Sequence, residues 1–134
     1  MGYRSQVKAL VYPDAPEDTM NVQYEPAYYT EKYEMLKVLM KTTFGHLLTD
    51  TYFDETYFEF NDKREHLVFT AEDVKWYDGY ADVAAFHKFL GDVAELGYCT
   101  EFVRVGEDVA DIQDETMGNN VEYRLRVVRS IEVE

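Results

Sequence analysis

The chain has 134 residues, with 27 Asp or Glu against 13 Lys or Arg, which gives a formal net charge of −14. This charge repels phosphate backbones and anionic lipid, so we expect partners with a basic surface and no direct contact with nucleic acid or membrane. Acidic disordered tails lack aromatic residues, whereas this chain is 46% hydrophobic and 16% aromatic. Length and composition therefore predict a single folded domain over residues 1–134.

The chemistry-bearing residues exclude several kinds of site. The single cysteine, Cys99, rules out an internal disulfide bond and a cysteine-based zinc site, and we expect it to be a small buried residue. None of His46, His66 and His87 has a second His or Cys at a metal-ligand spacing, so no metal or other cofactor is predicted. No signal peptide and no apolar run of roughly 20 residues is present, so a cytoplasmic protein is expected.

The first predicted element is a strand over residues 5–12, in which Val7, Ala9 and Val11 alternate with other side chains and which Pro13 ends. Residues 13–26 contain all 3 prolines and many polar residues, which is typical of a loop. A helix follows, from about residue 26 or 30 to residue 44, and Gly45 can end it.

The second half of the pattern begins with a hairpin, in which residues 57–60 and 66–70 flank a turn over residues 61–64. A second helix is predicted over residues 80–96, with a buried stripe of Val83, Phe86, Leu90 and Val93, and with Gly97 closing it. A strand over residues 101–105 and, after an acidic connection, a last strand over residues 121–133 complete the chain.

The order strand, helix, two strands, helix, two strands predicts the fold class. It is typical of the split β-α-β pattern of ferredoxin-like folds with one C-terminal strand appended. The expected architecture is therefore an α+β domain, with a mostly antiparallel sheet and two helices on one face.

Three segments resemble a known group of proteins: residues 1–7 (MGYRSQV), 74–83 (VKWYDGYADV) and 102–108 (FVRVGED). Together they resemble a family of short uncharacterised bacteriophage and prophage proteins. Members open with Met-Gly-Tyr-Arg-Ser, carry a Trp-Tyr pair before a helix and have an Arg-x-Gly-Glu-Asp run late in the chain. The match covers the N-terminus and the C-terminal half, and it implies a phage-type origin without an activity.

The aromatic segment around Trp76 is the first candidate for a binding surface. Trp76, Tyr77, Asp78 and Tyr80 lie at a strand-to-helix junction, and Trp and Tyr are enriched among interface residues. The alternative is that Trp76 belongs to the core and that Asp78 caps the second helix.

The run that begins at Arg104 has a catalytic and an ordinary interpretation. As a site, Arg104, Glu107, Asp108 and Tyr123 could belong to a small enzyme of unknown chemistry. The ordinary alternative is a turn at Gly106, followed by a short helix through Asp111 and Ile112. Glu107 and Asp108 would lie in its first turn, and Arg104 could pair with either of them.

The acidic connection is the second candidate binding surface. It holds Glu107, Asp108, Asp111, Asp114 and Glu115, and spaced carboxylates on a rigid body can imitate the phosphates of DNA. The alternative is a solvated surface that confers solubility. The predicted function is binding to a host or phage protein, in its specific form as a DNA-mimicking inhibitor of a basic, nucleic-acid-binding host or defence protein. A virion or assembly component is a further alternative.

Overall fold

The structure is a computed structural model of the chain, and it describes residues 3–15, 26–48, 52–108 and 110–127. The predicted loop over residues 13–26 therefore lies mostly outside the described residues. The same holds for the end of the predicted last strand, from residue 128 onward.

The described elements include both strands and helices, and they confirm the α+β class. In chain order they are β1 (Ser5–Pro13), α1 (Pro26–Lys41), α2 (Gly45–Leu48), a 3-10 turn (Glu55–Tyr57), β2 (Phe58–Asn61), β3 (His66–Val74), α3 (Ala81–Glu95), β4 (Tyr98–Gly106) and β5 (Ile112–Met117). The first strand, the hairpin β2–β3 and the helix α3 agree with the sequence prediction. Helix α1 ends at Lys41, before the predicted residue 44, and Gly45 begins α2 instead of ending α1.

The sheet has five strands in the order β2-β3-β1-β4-β5, and every neighbouring pair is antiparallel. Strand β1 lies at the centre, where Ala9 pairs with Phe69 on β3 and with Phe102 on β4. The predicted antiparallel sheet is thus confirmed. The ferredoxin-like assignment stays a prediction.

Both long helices pack on one face of the sheet. Side chains alternate between the faces of a strand, so Val7, Ala9 and Val11 share one face of β1. They belong to a single buried cluster with Leu36 of α1 and Phe86 of α3. The predicted stripe of α3 is confirmed, because all its members are buried: Val83, Phe86, Leu90 and Val93. Gly97 has a φ of 95°, the left-handed conformation that ends a helix at little steric cost.

The other face of the sheet is covered by a C-terminal segment, residues 119–127. Leu10, Tyr12 and Cys99 form a small buried cluster there, and Val121 and Leu125 pack against it. Cys99 is fully buried, as predicted, and burial raises the pKa of its thiol to about 12.

The sequence prediction is wrong at two places in this region. The acidic connection contains strand β5, whose backbone pairs with β4 from Ile112 to Met117, so the expected short helix through Ile112 is absent. Pairing satisfies the backbone groups along β4, and this tertiary gain overrides weak local propensity. Residues 121–127 form no strand, because their backbone crosses the sheet and bonds to side chains, with Tyr123 at a φ of 53°.

Among the described helices, none is long and apolar enough to cross a membrane.

Candidate functional site

Three segments that the sequence singled out meet at one end of the sheet. Strand β1 runs antiparallel to β3 and β4, so its first residues must lie beside the last residues of both. Ser5 indeed pairs with Val74 and with Gly106. The N-terminal segment, the aromatic segment and the Arg104 run are therefore neighbours in space, although they lie far apart in sequence.

Tyr3 joins the two predicted binding surfaces. Its backbone N–H donates to the Tyr77 hydroxyl at 2.7 Å. Its own hydroxyl donates to Asp111 Oδ2 at 2.7 Å and accepts from the Asp108 N–H at 2.9 Å. The Tyr77 ring in turn packs edge-on against Tyr80, with 5.1 Å between ring centroids. One tyrosine thus links the aromatic segment to the acidic connection.

Arg104 and Asp111 form the ion pair on which this end is built. The guanidinium donates to both carboxylate oxygens, at 2.7 and 3.1 Å, and also to Ser5 Oγ and Gln113 Oε1, each at 3.2 Å. The hydrogen bonds from Arg104, and then that from Tyr3, lower the pKa of Asp111 to about 2. Asp111 is therefore ionised at neutral pH, and its role is to hold β4, β5 and the N-terminal residues together.

Two further carboxylates hold the connection between β4 and β5. Glu107 Oε1 accepts the Arg4 N–H at 2.7 Å, and Asp108 Oδ1 accepts the Ala110 N–H at 2.9 Å. Both residues remain exposed to solvent. The turn interpretation of this run, with Arg104 closing an ion pair, agrees with the geometry, although the carboxylate that pairs is Asp111.

The candidate catalytic set is not assembled. Tyr123 lies in the C-terminal segment, beside Glu101 and Val103, whose side chains point to the face of β4 opposite Arg104. The donors of Arg104 are already engaged by Asp111, Ser5 and Gln113. Arg104 and Tyr123 therefore do not face a common reacting centre.

The aromatic segment divides between core and surface. Trp76 is only 6% exposed and belongs to the core, so its predicted place in an exposed binding surface is wrong and the core alternative agrees with the structure. Asp78 and Tyr80 are exposed, and Tyr80 is 44% accessible. Asp78 does not cap α3: the N-cap residue is Tyr80, whose side chain makes no capping bond.

Strand β5 carries the remaining predicted residues. Asp114 and Glu115 are both exposed, and they point to opposite faces because they are consecutive in a strand. Glu115 Oε2 lies 3.8 Å from His87 Nδ1. We call the surface formed by Tyr77, Asp78, Tyr80, Glu107, Asp108 and Asp111 the acidic end; Asp114 and Glu115 extend it along β5.

A buried polar cluster on the opposite face of the sheet was not predicted. Glu101 is only 2% exposed. It accepts hydrogen bonds from the Tyr12 hydroxyl, from the Arg124 N–H at 3.0 Å and from the Leu125 N–H at 2.8 Å. Asp14 acts in the same way, accepting the Asn119 and Asn120 N–H groups at 2.7 and 3.0 Å. The residues on the same face of β4 as Glu101, Cys99 and Val103, are apolar, and this pattern is the sequence signal that could have marked Glu101 as buried.

Arg124 covers this cluster. Its guanidinium lies 3.9 Å from the centre of the Tyr12 ring, and its Nε donates to Glu122 at 2.6 Å. Its Nη1 lies 3.1 Å from His66 Nδ1. Burial, and then the positive charges of Arg124 and Arg64, lower the pKa of His66, so this ring is neutral and can accept from Arg124.

Within the described residues, no group of three or more His, Cys, Asp or Glu side chains is placed to hold a metal ion. In comparisons of the chain with protein-family models, with curated proteins and with solved structures, nothing matches.

Proposed function

We propose that the protein acts by binding another protein, and that the acidic end is the surface it uses. The observation that carries this proposal is the bridge made by Tyr3. It joins Tyr77, whose ring packs on the exposed Tyr80, to Asp111 and to the backbone of the exposed Asp108. A mixed surface of this kind offers tyrosine rings for contact and charges for orientation.

The charges of the acidic end favour a basic partner. Asp111 neutralises Arg104, whereas Asp78, Glu107, Asp108 and Asp114 have no cation within 4 Å among the described residues. These unpaired carboxylates stand on a chain with a net charge of −14. Such a field accelerates encounter with a positively charged surface.

The target class follows from the same chemistry. Proteins that bind nucleic acid present cations spaced to meet phosphates, and carboxylates along β5 and the acidic end can engage such cations. We therefore propose inhibition of a nucleic-acid-binding host or defence protein, in keeping with the resemblance of the three segments to phage proteins.

The test compares two variants with the same change in charge. The first carries Asp78→Asn, Glu107→Gln and Asp114→Asn, three of these unpaired carboxylates, and it leaves the Arg104–Asp111 pair intact. The control carries Glu31→Gln, Glu55→Gln and Glu59→Gln, three exposed carboxylates outside the acidic end. A target captured with the wild-type protein from host lysate is then titrated with each variant by surface plasmon resonance.

We expect the first variant to associate more slowly than the control at low salt and to show a smaller salt dependence, since screening acts over about 10 Å at 0.1 M. The wild-type protein should also release nucleic acid from the captured target. Equal association rates for both variants would show that net charge alone, and not the acidic end, directs binding. Retention of nucleic acid by the target would contradict inhibition.

A further inference from the structure

A second charged surface lies on the other face of the sheet, and its charge is opposite to that of the molecule. A recess of about 610 Å³ opens between the β2–β3 turn and the C-terminal segment. Its lining residues are Lys63, Arg64, Glu122, Tyr123, Arg124 and Arg126. The chain has 27 acidic and 13 basic residues, yet four of the basic residues line this one recess. The local charge is therefore positive, although the net charge of the protein is negative.

Most of this positive charge is not balanced by carboxylates among the described residues. Glu122 is paired with Arg124. Lys63, Arg64 and Arg126 are exposed, and none of them has a carboxylate within 4 Å in the part of the chain that the structure describes. Among the described residues the recess thus retains an excess of three positive charges, and a bound anion would be attracted to this local field.

The recess is held in place by the buried cluster beneath it. Arg124 is fixed by Glu122, by the Tyr12 ring and by the backbone carbonyl of Arg64, to which its Nη1 donates at 3.2 Å. That last bond ties the C-terminal segment to the β2–β3 turn. It therefore connects the two sides of the recess.

Tyr123 also lines this recess. Its backbone has a φ of 53°, which a bulky side chain rarely adopts, and its side chain is 65% exposed. Strained backbone of this kind is often found at ligand sites. Here it places Tyr123 among the cations that line the recess.

We propose that this recess binds a phosphate-bearing small anion, with Lys63, Arg64 and Arg126 as its charged contacts and Tyr123 as a neutral donor. A di- or polyphosphate group fits because its several negative charges match the excess positive charge, and guanidinium groups bind phosphate oxygens in pairs. The proposal is independent of the acidic end, which uses other residues.

The test is a calorimetric titration of the full chain with inorganic pyrophosphate at low ionic strength. The test variant carries Arg64→Gln and Arg126→Gln, two exposed side chains without described partners. The control carries Lys41→Gln and Lys88→Gln, which change the net charge equally on helices away from the recess. Circular dichroism and thermal melting verify that both variants fold.

We expect pyrophosphate to bind the wild-type protein and the control alike, and to bind the test variant about tenfold or more weakly. Absence of binding to the wild-type protein, or equal affinity for both variants, would overturn the proposal. A single-stranded oligonucleotide forms the second arm. If it binds through the same arginines more tightly than pyrophosphate, the recess serves a nucleic-acid backbone and the small-anion assignment is wrong.

Discussion

Trp76 lies within a group of buried aromatic rings between the sheet and α3. Its ring centroid is 5.5 Å from that of Phe86, 6.1 Å from that of Phe102 and 6.2 Å from that of Phe53. Replacing Trp76 by Ala leaves a cavity that these neighbours fill only in part. We expect Trp76→Ala to lower the free energy of unfolding by about 3–5 kcal/mol, as measured by urea denaturation.

Tyr80 from the same aromatic segment provides the control. Because its side chain is 44% exposed, Tyr80→Ala should change the free energy of unfolding by about 0.5 kcal/mol or less. Trp76→Phe should cost less than Trp76→Ala, since it keeps a ring and removes an Nε1 that has no hydrogen-bond partner among the described residues. Similar stabilities for Trp76→Ala and Tyr80→Ala would contradict the core role of Trp76.

Asp111 contributes to the way in which the stability of the folded protein depends on pH. The Arg104 and Tyr3 hydrogen bonds lower its pKa to about 2 in the folded protein, whereas an unfolded Asp titrates near the usual value of 3.8. The unfolded chain therefore binds this proton first as the pH falls. The stabilisation of the folded protein by ionised Asp111 is complete above about pH 4 and is lost between about pH 4 and 2.

The measurement is the unfolding free energy as a function of pH for wild type and Asp111→Asn. The variant should be less stable at neutral pH, and the difference between the two proteins should shrink below about pH 4. Asp114→Asn, which removes an exposed carboxylate without a described ion pair, is the control and should leave the pH profile unchanged. A constant difference across this range would show that Asp111 does not titrate as described.

At the scale of elements, the C-terminal segment is attached to the sheet mainly through two buried carboxylates. Glu101 uses both oxygens to accept successive N–H groups, and Gln offers only one acceptor with an NH2 in place of the other. Glu101→Gln should therefore destabilise the protein by about 1–3 kcal/mol. It should also speed hydrogen exchange of the Arg124 and Leu125 amides more than that of amides in β1.

Glu59→Gln, at an exposed position of the edge strand β2, is the matched control for this prediction. It should leave exchange in the C-terminal segment unchanged. If Glu101→Gln leaves the Arg124 and Leu125 amides equally protected, attachment of the segment depends on Val121 and Leu125 packing instead.

For the whole molecule, the sequence predicted those elements whose pattern is local. Strand β1 alternates and helix α3 has a clear apolar stripe with Gly97 at its end, so each could be recognised alone. Strand β5 could not, because Asp114 and Glu115 have low strand propensity and are extended only through pairing with β4.

The candidate site was predictable in composition but not in arrangement. The segments around Trp76 and Arg104 stood out by residue type, whereas the contact between them depends on Tyr3 and on the antiparallel placement of β1. Glu101 and Arg124 were missed because a buried carboxylate and its cover come from distant parts of the chain. Alternation along a strand does not show which face a later segment will cover.

The central position of β1 has a consequence for how the chain folds. Both its neighbours, β3 and β4, lie much further along the chain, with Ser5 opposite Gly106. No sheet that includes β1 can form until those partners exist, and closing such long loops slows folding. The hairpin β2–β3 has only local contacts between its strands, so it can form first and offer the edge onto which β1 docks.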